Sequence, residues 1–455
     1  MTRHRNNLRD PLSPQRCGAA LNGLYSVAEY LSQPLGLLLA APYLLRHLGA
    51  SQFGIWVLAS AAVNSGNVLS SGFGDAAVKY VAMYRGRNDS SGIARIVRGM
   101  MAINLTLGGL VAVALWSIAP YAADHIAHID AGLRDVCLRS FRLGSLLLVI
   151  RSIDGVFVST VRAFERYGPA VRITMCSRIA ALVAAIILVA HGRGVAEIML
   201  ATLWISAFAA VAQGFAVRAI AGKILLLPSM DRKTLSMIAG FGCFSWLQAL
   251  SSVAFGQVDR IVIGVFLGAP AVACYGLCAQ AAQTIHGISG AGFHVLFPHL
   301  SSRLEAEPLA DLRHTVWIAF KTNLVLAGLL GLPFILLSRP ILSVWMGPEF
   351  ARQAWPILSI LGVSFSLFAL NVTAHYTLLA IGQVRLVTAL NLAAGAAMLL
   401  LMLLLTPRFG MVGTACARFI SGPGTCILYY PLYRLMRGRS TERPEPCVLA
   451  AWENI

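Results

Sequence analysis

Charge is what this sequence has least of. Only 12% of its 455 residues are Asp, Glu, Lys or Arg, about half the share of a soluble chain. So sparse a set cannot clothe a soluble surface of this size, which excludes a cytosolic enzyme or binding module. Lysine is nearly missing, with 4 against 32 Arg. The nine cysteines form no CxxC, and Cys274 and Cys278 sit four apart in an apolar stretch; free thiols are expected rather than disulfides or a metal site. Gly-rich phosphate loops, HExxH and a nucleophile elbow are absent, and acids are too few and outer loops too short for a glycosyltransferase or polymerase site. The chemistry left is binding and release, not catalysis. What the chain does have is apolar side chain: 57% of residues, with mean hydropathy +0.72. That is too apolar for disorder. It reads as an integral membrane protein.

A spanning helix needs about 20 mostly apolar residues. Twelve stretches meet that rule, near 19–45, 52–74, 99–120, 137–160, 174–191, 196–217, 236–266, 272–296, 315–337, 354–379, 385–406 and 411–433. They divide the chain into an N-terminal segment (1–18), a six-helix lobe (19–218), a linker (219–235), a second six-helix lobe (236–434) and a tail (435–455). No short apolar core with a small-residue cleavage site stands apart from the first stretch, so no cleaved signal peptide is expected. The net charge of +17 would suggest nucleic acid in a soluble chain. Here the loops on the N-terminal side of the membrane, with both termini, hold 25 Lys and Arg, and the opposite loops hold 8. That bias places both termini in the cytoplasm and leaves no role for nucleic acid.

The chain also repeats itself. Leu-Gly-Ala at 48–50 returns at 267–269, and the same offset of 219 maps Ser26 onto Ser245, Glu29 onto Gln248 and Gln33 onto Ser252. It maps Asn64 onto Gln283, Asn67 onto His286 and Asp75 onto His294. With Ser71 between Asn67 and Asp75, and Gly290 between His286 and His294, these positions step by three and four, so each set keeps one helix face. Hydrocarbon offers such faces no partner, so they must meet protein or water. A shared water-filled cavity is expected, with helix–helix glue the alternative. Six spans per half make the repeats parallel, which puts a substrate site at their interface.

Ionisable residues within spans mark candidate functional positions. Glu29 lies about ten residues into its span, roughly 15 Å deep at 1.5 Å per residue. Arg151 and Asp154 are three apart, Asp259 and Arg260 adjacent, and Arg418 has no partner nearby in sequence. His286, His294 and His375 are either proton relays or hydrogen-bonded structural residues.

Five segments carry a family resemblance: LGASQFGIWVLAS, GFGDAAVKYVAMYRGRND, VDRIVIGVFLGAPAVACYGL, FPHLSSRLEAE and ILSVWMGPEFARQAWPILSILG. In that order, with twelve spans and a two-half repeat, the chain resembles the bacterial polysaccharide flippases of the multidrug/oligosaccharidyl-lipid/polysaccharide exporter superfamily. The resemblance implies an all-α, MATE-like fold, two six-helix lobes around a cavity that opens alternately to either side. The implied cargo is an oligosaccharide on undecaprenyl diphosphate, flipped to the periplasmic leaflet of the inner membrane for O-antigen, capsule or exopolysaccharide synthesis. Polysaccharide polymerase and chain-length machinery are the implied partners. No cofactor is implied beyond a driving proton or sodium gradient. Candidate cargo contacts are Arg46, Arg151, Arg260, Arg418, Gln33, Asn64, Asn67, Gln248 and Gln283. Candidate ion-coupling residues are Glu29, Asp75, Asp154, Asp259 and His286. The alternatives are an organic-cation drug antiporter of the same fold, or a membrane-embedded polymerase or ligase.

The topology is testable by single-cysteine labelling in a cysteine-free background. Residue 130 should react only from outside and residue 440 only from the cytoplasm; the reverse pattern would invert the orientation.

Overall fold

The computed structural model describes residues 14–71, 73–87, 89–126, 131–164, 167–222, 255–293, 313–381 and 383–437, with scattered positions across 227–253 and at 296 and 300. Side chains of 14–31, Gln33 and Asp75 lie outside that description. Every regular element described is a helix, as a membrane interior requires, because only helices satisfy their backbone groups within one segment. In chain order these are α1 (Pro14–Ser71), α2 (Gly74–Gly86), α3 (Ser90–Tyr121), α4 (Arg134–Ala163), α5 (Tyr167–Ala190), α6 (Val195–Ala221), α7 (Val258–Leu267), α8 (Ala269–Phe293) and α9 (Arg313–Leu336). There follow α10 (Ser338–Met346), α11 (Pro348–Ala380), α12 (Val384–Ala417), α13 (Ser421–Cys426) and α14 (Tyr429–Arg437).

Among the described residues, seven runs are long and apolar enough to cross a membrane. Expected spans one and two appear as one element, α1, interrupted where Gly49 takes φ 75° and ψ 163°. A side chain is strained in that conformation, so glycine makes the sharp return possible. Gly410 (φ 60°) interrupts α12 between the last two expected spans. Two short helices were not expected, α2 beyond span two and α10 beyond span nine. Asp89 opens α3 by accepting from the Gly92 N–H (2.8 Å) and the Ser91 hydroxyl (2.7 Å). Those donors hold its carboxyl below the usual range.

The repeat is visible in the backbone. Gly268 (φ 81°) stands 219 positions after Gly49, and Gly410 stands 218 after Gly192 (φ 70°). Asn104 on α3 and Asn323 on α9 are also 219 apart, and both are buried. Asn323 donates to the Ala369 carbonyl (2.8 Å) and Thr373 Oγ1 (3.2 Å), tying α9 to α11.

The halves meet at the end bearing Gly49 and Gly268. There Leu44, Phe53 and Ile55 share one buried cluster with Val272, Tyr275 and Leu361. Gly54 faces the start of α8 so closely that a Cβ would lie 1.8 Å from the Ala269 carbonyl oxygen. The Trp345 indole N–H donates across the halves to the Leu38 carbonyl (2.9 Å). The outer surface presents Phe208 and Phe215 of α6, Leu329 and Leu336 of α9 and Leu400 and Leu404 of α12, all exposed. In hydrocarbon such side chains are at home.

Inside the C-terminal half lies an ion pair. Arg418 and Asp259, each 1% exposed, meet at 2.7 Å between Nη1 and Oδ2. Arg418 also donates through Nη2 to the Phe255 carbonyl and lies 4.3 Å from the Phe365 ring centre. The expectation that Asp259 and Arg418 face a cavity is corrected here, for each is consumed by the other. Asp259 reaches a partner 159 residues away, which local spacing could not show. Removing one member strands the other charge, at a cost of about 3–5 kcal/mol. Asp259→Ala should therefore lower the thermal midpoint sharply, whereas Asp259→Leu with Arg418→Met should recover most of it. Reactivity of the buried Cys137 and Cys278 with a fluorogenic maleimide during heating reads the midpoint.

Candidate functional site

Among the described residues, two cavities between these helices bear on the site. The larger, of about 640 Å³, is lined by Trp56 near the joined end, by Ser32 farther along and by Gly74, Val78 and Arg162 toward the opposite end. Its volume falls in the roughly 300–1,000 Å³ range of small-molecule sites. The N-terminal half supplies most of the wall, and the C-terminal half adds Gln257, Arg260 and Gln280. It is a junction site, where a parallel repeat would put one.

Among the described residues, four guanidinium groups line this cavity, Arg151, Arg162, Arg178 and Arg260, against one carboxylate, Asp154. Their anchors are specific. Arg151 Nη1 donates to Asn64 Oδ1 (2.9 Å), which binds α4 to the second run of α1. Arg178 Nη1 donates to Ser32 Oγ (3.3 Å), which binds α5 to the first run. Arg260 Nη1 donates to the Gly256 carbonyl (2.7 Å) and Gln257 Oε1 (3.1 Å). Its Nη2 is buried with no hydrogen-bond partner. A Cβ on Gly276 would lie 3.8 Å from Arg260 Nε and 2.9 Å from Val57, so Arg260 sits in the seam where α8 crosses α1.

Such an arrangement suits an anion. Guanidinium stays charged on burial and presents a planar fork to phosphate or carboxylate oxygens. Around the arginines stand Ser60, Asn64, Asn67, Ser177, Thr202 and Ser206, which can hydrogen-bond a hydroxylated ligand in either direction.

The smaller chamber, of about 250 Å³, lies within the C-terminal half. Ser251, Gln283, His286, Asn371, His375, Tyr376 and Asn391 give it polar groups, and Phe255, Phe365 and Phe368 give it aromatic wall.

Of the residues expected from the sequence, Arg151, Arg260, Asn64, Asn67 and Asp154 come together in the larger cavity. Gln283 and His286 line the smaller chamber instead, so the single shared cavity becomes two. Arg46 is exposed on α1 beside the Gly49 bend and lines neither. The side chains of Glu29, Gln33 and Asp75, and residues Gln248 and His294, lie outside the described residues. Sequence reading missed Arg162 and Arg178 because it took both for loop charges. In fact α4 runs on through Arg162 and α5 starts at Tyr167, which carries Arg178 well into the helix. The signal was present, since Arg178 falls inside the apolar stretch 174–191.

Among curated proteins, the chain is 25% identical over 191 residues to a putative O-antigen transporter of Shigella flexneri, covering 40% of this chain and 43% of that protein. It spans less than half of that relative. It is 23% identical over 406 residues to EpsK, an uncharacterized membrane protein of Bacillus subtilis, covering 86% and 78%. Among solved structures it superposes on an inward-facing MATE family multidrug resistance transporter of the MOP superfamily with TM-score 0.73, at 15% identity over 91% of this chain and 100% of that one. The lipid II flippase MurJ in an inward closed conformation follows at 0.72 and 13%, covering 91% and 87%. An outward-facing MATE transporter gives 0.62 at 14%, covering 92% and 96%. At these identities the likeness is one of fold, and the fold is that of MATE and MOP transporters. Residues 22–304, more than half of the sequence, match the family described as polysaccharide biosynthesis protein, and the chain belongs to that family.

Proposed function

We propose that this protein is a flippase. It carries polyprenyl-diphosphate-linked oligosaccharide units, undecaprenyl being the expected lipid, from the cytoplasmic to the periplasmic leaflet of the inner membrane. The observation that carries the reading is the junction cavity, whose described wall holds four arginines and one carboxylate among polar groups. A diphosphate with sugars cannot cross hydrocarbon unaided, because each unpaired polar group costs several kcal/mol there. Arginines answer the diphosphate, the serine, threonine and asparagine groups answer the sugar hydroxyls, and the lipid tail stays in the bilayer. Membership of the polysaccharide biosynthesis family and the O-antigen transporter named among the relatives support this cargo.

Movement follows by alternating access, driven by an ion gradient. With both termini cytoplasmic, the joined Gly49–Gly268 end is periplasmic and the cavity reaches toward the cytoplasm, ready to load. The higher similarity to inward-facing than to outward-facing relatives agrees with that state. The protein itself makes and breaks no covalent bond; a polymerase and chain-length machinery would act on what it delivers. An organic-cation exporter of the same fold would need an acidic wall, and the described wall carries an excess of arginine.

Loss of a charge-assisted hydrogen bond is worth about 1.5–3 kcal/mol. Arg260→Ala and Arg178→Ala should accordingly slow translocation by roughly 10- to 100-fold. The lysine variants should fall in between, retaining charge but losing the fork. Reconstituted liposomes and a fluorescent undecaprenyl-diphosphate-linked sugar read this rate, normalised to folded protein. Wild-type rates in Arg151→Ala, Arg178→Ala and Arg260→Ala alike would defeat the diphosphate reading.

A further inference from the structure

The repeat that relates the two halves also relates the two cavities. Ser32, Gly36, Leu37, Asn64 and Asn67 line the larger one, and Ser251, Phe255, Gly256, Gln283 and His286, each 219 positions later, line the smaller. The C-terminal chamber is thus a counterpart of the cargo cavity and no accident of packing. Its chemistry has diverged. The larger cavity gathers arginines, whereas the described wall of the chamber holds no Arg, Lys, Asp or Glu.

What the chamber has instead is unspent amide. In the N-terminal half, Asn64 gives its Oδ1 to Arg151 (2.9 Å). Its counterpart Gln283 makes no hydrogen bond to a described residue, and neither does Asn391 of α12. Asn371 Oδ1, buried on α11, has no partner either. Inside a helix bundle in hydrocarbon, such groups must be met by water or by a ligand. A carboxamide sets an acceptor beside two donors, which matches neighbouring hydroxyls of a sugar ring.

The rest of the wall fits the same ligand. The Phe368 ring centre lies 5.1 Å from that of Phe255 and 4.1 Å from that of His286, on which it stacks. The negative faces of aromatic rings suit the C–H face of a pyranose, whose hydrogens the ring oxygens leave slightly positive. Volume sets the size. The chamber's 250 Å³ or so is the space of about eight waters at roughly 30 Å³ each, or of a single sugar ring with its substituents.

The two cavities touch at one residue. Arg260, in the wall of the larger, donates through Nη1 to the carbonyl of Gly256 (2.7 Å), which lines the smaller. A Cβ on Gly256 would meet no described atom within 4 Å, so the backbone there borders open space.

Resting on the transport reading above, we propose that the C-terminal chamber is a sugar subsite. It takes the first ring of the cargo, the one bonded to the diphosphate, while the arginines of the larger cavity hold the phosphates. Asn371, Asn391 and Gln283 bind the ring's hydroxyls, and the aromatic wall takes its C–H face. The remaining sugars stay against the polar wall of the larger cavity. The repeat has thus divided the cargo by polarity: the N-terminal half reads charge, and the C-terminal half reads an uncharged ring.

Competition against a fluorescent undecaprenyl diphosphate, with the purified full chain in detergent, tests this. The competitors are undecaprenyl diphosphate without a sugar and the same lipid carrying glucose, galactose or N-acetylglucosamine. At least one sugar-bearing lipid should compete about tenfold more strongly than the bare one. Asn371→Leu and Asn391→Leu, close in size and apolar, should each lower that advantage about two- to tenfold, as the loss of a neutral hydrogen bond does. Arg178→Ala should weaken every competitor and keep the advantage. Equal competition by all the lipids in the wild type would overturn the proposal. So would leucine variants that keep the full advantage, or that weaken bare and sugar-bearing lipids alike.

A second measurement places the ring. Gly290 lines the chamber, and a Cβ there meets no described atom within 4 Å, so a thiol has room. In a cysteine-free background, G290C should react with a small hydrophilic maleimide. The preferred sugar-bearing lipid should shield it, and the bare lipid should not. An inert G290C, no shielding, or equal shielding by both lipids would overturn the proposal. Selective binding and shielding in a protein that moves none of these lipids across liposomes would instead count against the flippase reading and leave the sugar site standing.

Discussion

A charge inside a helix bundle in hydrocarbon must be met by an opposite charge, by water or by a ligand, and the interior of this protein is organised around that demand. Two solutions stand side by side at adjacent positions of one helix. Asp259 is closed off in a 2.7 Å pair with Arg418, roofed by the Phe365 ring and the Phe255 carbonyl. Arg260, next in the chain, turns to the junction cavity with one arm tethered to Gly256 and Gln257. The first holds the C-terminal half together, and the second leaves a cation in need of an anion. Neighbours in sequence have opposite fates because consecutive residues on a helix point about 100° apart.

The polar wall and the joined end depend on each other. The halves approach closely only where small residues allow it, at Gly54 against the Ala269 carbonyl and at Gly276 against Val57. With that end packed by Leu44, Phe53, Val272 and Tyr275, the space between the halves is left toward the other end. Hydroxyls that would otherwise be orphaned bond back to their own helices, as Ser152 does to the Leu148 carbonyl (2.8 Å) and Thr160 to the Val156 carbonyl (2.7 Å). Amide side chains such as Asn64 and Asn67 gather at the cavity.

Much of this was legible in the residues. The membrane class, the helical fold and the repeat followed from apolar run length and one offset, and Gly49 with Gly268 shows that offset in backbone angles. Helix periodicity placed Asn64 and Asn67 on one face, and both line the larger cavity. What sequence could not give was pairing across long separations. Whether Arg418 was a cargo ligand or a structural ion depended on Asp259, and nothing in local spacing links residues 159 apart. Nor could periodicity distinguish one cavity from two: the Gln283–His286 stripe matches the Asn64–Asn67 stripe by the repeat, yet faces a chamber of its own. Arg162 was lost to a boundary error, since a hydropathy threshold ends a span where charge begins and α4 continues past it; Arg178 stood inside the expected span 174–191 and was counted with the loop charges.

The excess of arginine over lysine, 32 to 4, gains meaning at these sites. Positive-inside topology asks only for charge, and lysine would meet it as well. The cavity asks for more. A guanidinium carries five donors in a rigid plane, so it can spend one on an anchor and aim the rest elsewhere. Arg260 uses Nη1 on its own helix while Nη2 is held unpartnered; Arg178 and Arg151 are pinned through Nη1 to α1. A lysine ammonium is a point donor that swings on four carbons, and desolvation strips its proton far more readily. The guanidinium is thus the side chain that can be fixed in place, stay charged in a low-dielectric wall and still offer hydrogen bonds to a passing anion.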